Sequence, residues 1–385
     1  MVKSGYKQTE IGVLPEEWEI TPLLDKAELL NGLTYTPNDV REYGLLVMRS
    51  SNVQNSKFDF QDNVYVNCYV DDSKLIKKND ILICVRNGSS NLIGKCAKAD
   101  RDYNATFGAF MVVLRGPNND FVFHLLQQGV IQKHIAKNSD STINQITNGD
   151  IKQIMIPFPK NETERSIISE TLSDVDALID NLEKLIAKKK AIKQGAMQEL
   201  LTGKRRLPGF SDFVYDIKLG KLCSITTGKK DVNIANDFGI YPFFTCSRKV
   251  YFADEYSFDN EAIMIAGNGD VGTLHYYNGK FEAYQRTYVL TNFNCNVDYL
   301  YQWLQFCLIR NLSNEKVGSS IPYIVLSQLT EFGVRLPSND EQLAIASSLT
   351  DMDSEIEQLE KNLSKYKKIK SGMMSELLTG RIRLM

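Results

Sequence analysis

The chain has 385 residues, 43% hydrophobic and 24% charged, enough for two or three domains that each bury a core. No apolar run reaches the roughly 18 residues of a membrane span, and the opening MVKSGYKQTE lacks the charged and apolar regions of a signal peptide, so a cytoplasmic chain with no membrane partner is expected. With 45 basic against 47 acidic residues, the balance is poor for a protein that binds nucleic acid alone through phosphates.

Residues 1 to 160 read as a first α+β domain. They open on WEITPLLDKAELLNG (18 to 32), continue through short β-type runs such as DILICV and AFMVVL between Asn and Gly turn signals, and reach a helical stretch near 121 to 136. They close on ITNGDIKQIMIPFP (146 to 159).

Residues 161 to 207 then form one long predicted helix. A proline, asparagine and acidic residues in PFPKNETE suit a cap at the positive end of the helix dipole. The apolar residues Ile168, Leu172, Val175, Ile179, Leu182 and Ile186 step by four and three, a heptad seam that packs along a partner helix. At Lys189 the seam breaks, apolar positions resume at Ile192, Ala196 and Leu200, and a slip of register is expected there. Thr202-Gly203 reads as a glycine stop.

The second half restates the first. GKRRLPGF restarts the chain, and residues 208 to 338 hold VYDIKLGKLCSITTG (214 to 228), the β-type runs EAIMIA, TLHYY and RTYVL, a helix near 298 to 310, and IVLSQLTEFGVRLP (324 to 337). The opening and closing segments match those of the first half in apolar spacing, including the closing glycines Gly32 and Gly228, while the middles diverge. Residues 339 to 385 then repeat the long helix. Laying 164 to 207 on 341 to 384 without a gap gives 22 identities in 44 positions, and the seam recurs as Ile345, Leu349, Met352, Ile356, Leu359 and Leu363, meets Tyr366, and resumes at Ile369, Met373 and Leu377. The chain therefore reads as domain, helix, domain, helix, with an internal pseudo-twofold repeat. At about 1.5 Å per residue each helix would be a rod of roughly 60 Å, and the two rods, sharing a seam, are expected to pair with each other. The alternative is two amphipathic helices, each docked on its own domain.

Other features point away from chemistry. Seven scattered cysteines without a CxxC pair argue for free, mostly buried thiols, and with only His124, His134 and His275 no metal site is expected. GNGDVG (267 to 272) has the form of a dinucleotide loop, but TLHYYNGKF follows it, and its β-type residues and Asn-Gly turn predict a hairpin instead of the required helix. Paired prolines of the amino-methyltransferase type, a GxxxxGK(S/T) loop, a GxSxG elbow and an HExxH pair are all missing. The repeated Asp174/Asp176 and Asp351/Asp353 read as solvated helix positions. The lysines around 188 to 193 and 365 to 370 read as a solvated face that complements the dipole, or as a contact for DNA phosphates or an acidic partner.

Taken in order, YKQTEIGVLPEEWE, the paired IMIPFP and VRLP, GKRRLPGF, and two long helices ending in ELLTG resemble the specificity (S) subunit of Type I restriction-modification enzymes over essentially the whole chain. The resemblance implies a non-catalytic adaptor with two target recognition domains. Each would read one half of a bipartite, asymmetric site in double-stranded DNA, while the two helices, antiparallel to one another as a coiled coil, set the gap and dock two methyltransferase (M) subunits. Restriction (R) subunits would join that core, and S-adenosylmethionine, ATP and Mg would sit on the partner subunits, none on this chain.

Candidate DNA contacts lie in the polar loops that follow the β-type runs: Arg49, Ser50 and Asn52, then Arg86, Asn87, Ser89 and Asn91 in the first domain. In the second they are Lys229, Lys230, Arg248, Lys249, Asn268, Gln285 and Arg286. Arginine suits guanine, and asparagine or glutamine suits adenine, through paired hydrogen bonds. The plain alternative for each is surface solvation of a hairpin loop. For the whole chain the alternatives are a coiled-coil scaffold that reads no DNA, and a catalytic nuclease or methyltransferase, which the missing motifs disfavour.

Overall fold

The computed structural model describes residues 4–129, 145–312 and 323–384. His134 and the end of the helical stretch expected at 121 to 136 lie outside these residues. Contacts group the chain into two compact units, Met1–Asn181 with Leu363–Met385, and Leu182–Asn362.

In the first unit, Trp18–Pro22 pairs antiparallel with Met155–Pro159, so the opening and closing segments of the half meet just before the long helix. Between them lie two four-stranded sheets. One runs in the order Cys96–Lys98, Ile81–Cys84, Met111–Arg115, Glu28–Asn31, all antiparallel. The other runs Ala105–Phe107, Leu45–Met48, Tyr65–Val66, Val40–Arg41, its first pair parallel. Every side chain of Ile81–Cys84 is buried, as a continuous apolar run in a central strand requires. Asn119–Leu126 is helical and packs Phe121, Val122 and Leu125 into the core.

The second unit repeats the plan with a larger sheet. Tyr215–Lys218 pairs antiparallel with Gly333–Leu336. Its six-stranded sheet runs Ser224–Thr227, Thr287–Thr291, Phe258–Ala266, Leu274–Ala283, Tyr241–Phe244, Tyr251–Ala253. One expectation fails here. Asn278-Gly279 is no turn: Leu274–Ala283 is one strand of ten residues, paired along Phe258–Ile265, and the hairpin turns at Gly267 to Thr273 instead. The stacking of Phe258 on Phe281, with centroids 5.0 Å apart, holds the strand past the glycine. Gly279 takes φ +134, which a Cβ would strain.

The long helices run Glu162–Leu201 and Asn339–Leu377. Asn161 caps the first, its Oδ1 accepting from the amide of Thr163 at 2.9 Å. Gly203 and Gly380 stop them at φ +67 and +66. Each unit contains an antiparallel pair made of the first part of one helix and the last part of the other. In the first unit Ile168 and Leu172 share a core with Met374, Leu377 and Leu378, and in the second Ile345 and Leu349 share one with Met197 and Leu201. Ile179, Ile186 and Ile356 are buried, while Val175, Leu182, Met352, Leu359 and Leu363 are half-buried.

The seam resumes later than the apolar pattern suggests. Ile192 and Ile369 are 47% and 38% exposed, Ala196, Leu200 and Met373 pack half-buried against the cores, and burial returns fully at Met197, Leu201, Met374, Leu377 and Leu378. Lys193 and Lys370 fill the gap, laying their stems along the seam and pairing at 2.6 Å with Asp353 and Asp176. These two carboxylates are therefore ion-paired across helices, not merely solvated. Lys189 and Lys190 likewise reach Glu355 and Glu360 at 2.6 Å. A second repeated bond links Arg383 to Glu164 and Arg206 to Glu341, with both carboxylates buried. The seven cysteines are free, three of them buried and four half-buried, so fewer are fully enclosed than expected.

Candidate nucleic-acid interface

The sequence-chosen loops of the first unit converge. The strands Leu45–Met48 and Ile81–Cys84 end beside the turn that opens Met111–Arg115. The amide of Gly108 donates to the carbonyl of Met48 at 2.9 Å, and the amides of Val85 and Arg86 donate to that of Phe110 at 3.0 and 3.3 Å. Asn87 Nδ2 donates to Ser50 Oγ at 2.8 Å, and Asn87 Oδ1 accepts from the amide of Ser89 at 3.0 Å. These bonds brace the two loops and leave Arg86, Ser89 and Asn91 exposed.

Asn52, expected to contact DNA, is out of its reach. It is fully buried, accepts from the amide of Arg49 at 2.9 Å, and donates to the carbonyls of Asp59 and Asp62 at 2.9 and 3.1 Å. Its polarity serves the loop backbone. Arg49 is paired with Asp62 at 2.9 Å, so its charge is partly answered within the unit.

In the second unit the candidates also meet. The amide of Gln285 donates to the carbonyl of Lys230 at 2.9 Å, the amide of Gly267 to that of Arg286 at 3.0 Å, and the amide of Asp270 to that of Cys246 at 3.2 Å. His275 Nε2 lies 2.9 Å from the carbonyl of Ser247, which ties the hairpin to the loop carrying Arg248 and Lys249. Lys230 pairs with Glu255 at 2.9 Å, Gln285 Nε2 donates to Asp231 at 3.4 Å, and the Lys249 ammonium lies 4.8 Å from the Tyr251 ring centroid. Lys229, Arg248, Lys249, Gln285 and Arg286 are exposed, and Asn268 is half-buried.

One backbone frame underlies both sets. Five hydrogen bonds recur: Gly94 to Cys84 matches Gly272 to Ala266, Val85 to Phe110 matches Gly267 to Arg286, and Gly108 to Met48 matches Tyr284 to Phe244. Met111 to Gly108 matches Thr287 to Tyr284, and Ile146 to Val85 matches Ile324 to Gly267. The closing glycines belong to this frame, since a Cβ on Gly32 would fall inside the carbonyl of Gly108 and one on Gly228 inside that of Ala283. GNGDVG is the hairpin turn of that frame, with no helix behind it to hold a phosphate. Sequence reasoning missed Phe110, whose ring is 55% exposed under the Arg86 guanidinium at 4.9 Å. In the sequence Phe110 reads as part of the apolar run AFMVVL, although Gly108 shortly before it marks the turn.

The chain is thus built twice on one backbone frame, each copy carrying polar loops and followed by one long helix. The family model for the Type I restriction modification DNA specificity domain matches residues 15–194 and 212–365, and the chain belongs to that family. It is 37% identical over 163 residues to the Type I restriction enzyme EcoDI specificity subunit of Escherichia coli, which is 42% of this chain and 36% of that one. The EcoKI specificity subunit of Escherichia coli K12 is 32% identical over 44% of this chain and 38% of its own. The chain thus spans less than half the length of these two curated relatives. The putative MjaX specificity subunit of Methanocaldococcus jannaschii is 26% identical over 99% of this chain and 97% of its own. The crystal structure of a Type I restriction-modification S subunit from M. genitalium shares the fold, with a TM-score of 0.67 at 19% identity over 94% of this chain and 96% of that one.

Proposed function

We propose that this chain is the DNA-reading subunit of a Type I restriction-modification enzyme and performs no catalysis itself. Each unit reads one half of a bipartite, asymmetric site, and the long helices set the gap and dock two methyltransferase subunits. S-adenosylmethionine belongs to those subunits, and ATP and Mg to the restriction subunits that join the core. The observation that carries this reading is the repeated frame: the same five backbone bonds present polar loops in both units, while the side chains on those loops differ. A scaffold shared by both units, with loops that differ, is what reading two different sequences requires.

Charge supports the dependence on partners. Residues 1 to 160 hold 18 basic and 18 acidic residues, and 208 to 338 hold 11 and 13, so neither half is a basic block. Several basic groups on the loops are also answered by carboxylates, Arg49 by Asp62 and Lys230 by Glu255. Phosphate contacts must then come largely from the methyltransferase subunits.

The test is selection from a random duplex library by the chain with and without its methyltransferase, at two salt concentrations. One gapped motif enriched only by the complex, with affinity falling steeply as salt rises, supports the reading. A stable complex that enriches no sequence favours the scaffold alternative.

A further inference from the structure

The recurring bonds set the two units in register position by position. Because Val85 and Gly267 donate to the carbonyls of Phe110 and Arg286 in the same way, Arg86 corresponds to Asn268 and Phe110 to Arg286. The chemistry at these two positions is exchanged. In the first unit the guanidinium stands on the loop after the central strand, and an aromatic ring stands on the turn beside it. In the second the guanidinium stands on the turn, and a carboxamide stands on the loop.

Arg86 is exposed, and among the described residues no carboxylate lies within 4.0 Å of its guanidinium. Instead it lies over the Phe110 ring. An arginine laid on an aromatic face keeps its N–H edge available and gives up less rotamer freedom on binding, which suits a planar, two-point contact better than a phosphate contact that a lysine could make. The loop beneath is fixed independently, because Asn87 spends its side chain on Ser50 and on the amide of Ser89. Arg286 is also exposed, and its own carbonyl accepts from Gly267 and from the Cys246 thiol at 3.0 and 3.2 Å, so its backbone is equally pinned.

We infer that Arg86, braced on Phe110, reads a guanine in one half-site, and that Arg286 reads a guanine in the other, with Asn268 beside it placed for an adenine. The inference rests on the DNA reading proposed above and names the side chains that make the half-sites differ. Both acceptors of guanine, O6 and N7, lie on the major-groove edge, where a guanidinium meets them with two parallel bonds.

The test is to map methylation by the complex of the chain with its methyltransferase for the unaltered protein, Arg86→Ala, Arg86→Lys, Phe110→Leu and Arg286→Ala. Arg86→Ala should relax one G·C position in one half of the motif by about tenfold or more and leave the other half intact. Arg286→Ala should do the same in the other half. Arg86→Lys should relax the same position less fully than Arg86→Ala, since an ammonium can still reach O6 and N7 but lacks the fixed planar fork, and Phe110→Leu should relax it in part. An Arg86→Ala complex that methylates every site less while keeping the motif, with Lys restoring the rate, would mean a phosphate contact and overturn the inference. A motif unchanged in both alanine variants would overturn it as well. If the unaltered complex yields no gapped motif, the DNA reading itself fails and this inference with it.

Discussion

Lys193 and Lys370 stand where the heptad seam calls for apolar side chains, and their side chains are only 13% and 17% exposed. Each ammonium is matched to a carboxylate on the other helix, and Asp353 also accepts from Gln302 at 3.0 Å. Removing the acid leaves a mostly buried cation without its partner, whereas removing the lysine leaves an acid that water still reaches. Asp353→Ala should therefore lower stability by about 1 to 2 kcal/mol, and Lys193→Leu should be near neutral, as read from denaturant midpoints. His124 gives a second test. It is buried, with Nε2 3.1 Å from Ser173 Oγ and Nδ1 without a hydrogen-bond partner, and burial, with Lys370 and Lys98 nearby, pushes its pKa down to about 4. The unfolded chain binds that proton near pH 6.5, so the unfolded state gains the proton first as pH falls. Stability should drop through the window from 6.5 to 4 by about 3 kcal/mol, and His124→Gln should remove that part of the slope. Such environments are set by tertiary neighbours, which is why a lone histidine in FVFHLL, or the buried Asn52 in RSSNV, cannot be assigned from local sequence.

The long helices were the most legible elements, because a four-three apolar step over nearly three heptads reads as a helix with one apolar face to bury. Their ends were legible too, through Asn161 and the glycines Gly203 and Gly380. The local rule failed at Asn278-Gly279, where the chemistry of a tight turn is overruled by pairing on both sides of it. It failed again at the seam break, since periodicity counts apolar residues and cannot see that a lysine with a facing aspartate fills a seam position. Leu182→Lys and Leu359→Lys each place a charge in the half-buried seam. Each should cost about 1 to 3 kcal/mol and weaken assembly with the methyltransferase. Thermal melts and complex formation indistinguishable from the unaltered chain in both variants would contradict the paired helices.

Across the full chain, the repeat carried most of the functional conclusion. Glu164 with Arg383 and Glu341 with Arg206 are the same ion pair 177 positions apart, and both were foreshadowed by identities in the gapless overlay. The weaker likeness of WEITP to VYDIK and of MIPFP to GVRL also had structural content, since in each unit those segments pair with one another. What remained hidden was the shared frame of the divergent middles. Backbone hydrogen bonds leave little trace in side-chain identity, apart from glycines such as Gly32 and Gly228 that a close approach demands. The frame is common and its loops are not, so the two halves of the target should differ. The most direct measurement is to express the chain with its methyltransferase in a host free of other adenine methylation and sequence the methylated genome. A single motif of two unlike halves separated by a fixed gap, absent when either protein is left out, is the expected outcome. A perfect palindrome, or a motif made by the methyltransferase alone, would contradict a reader whose two units recognise different sequences.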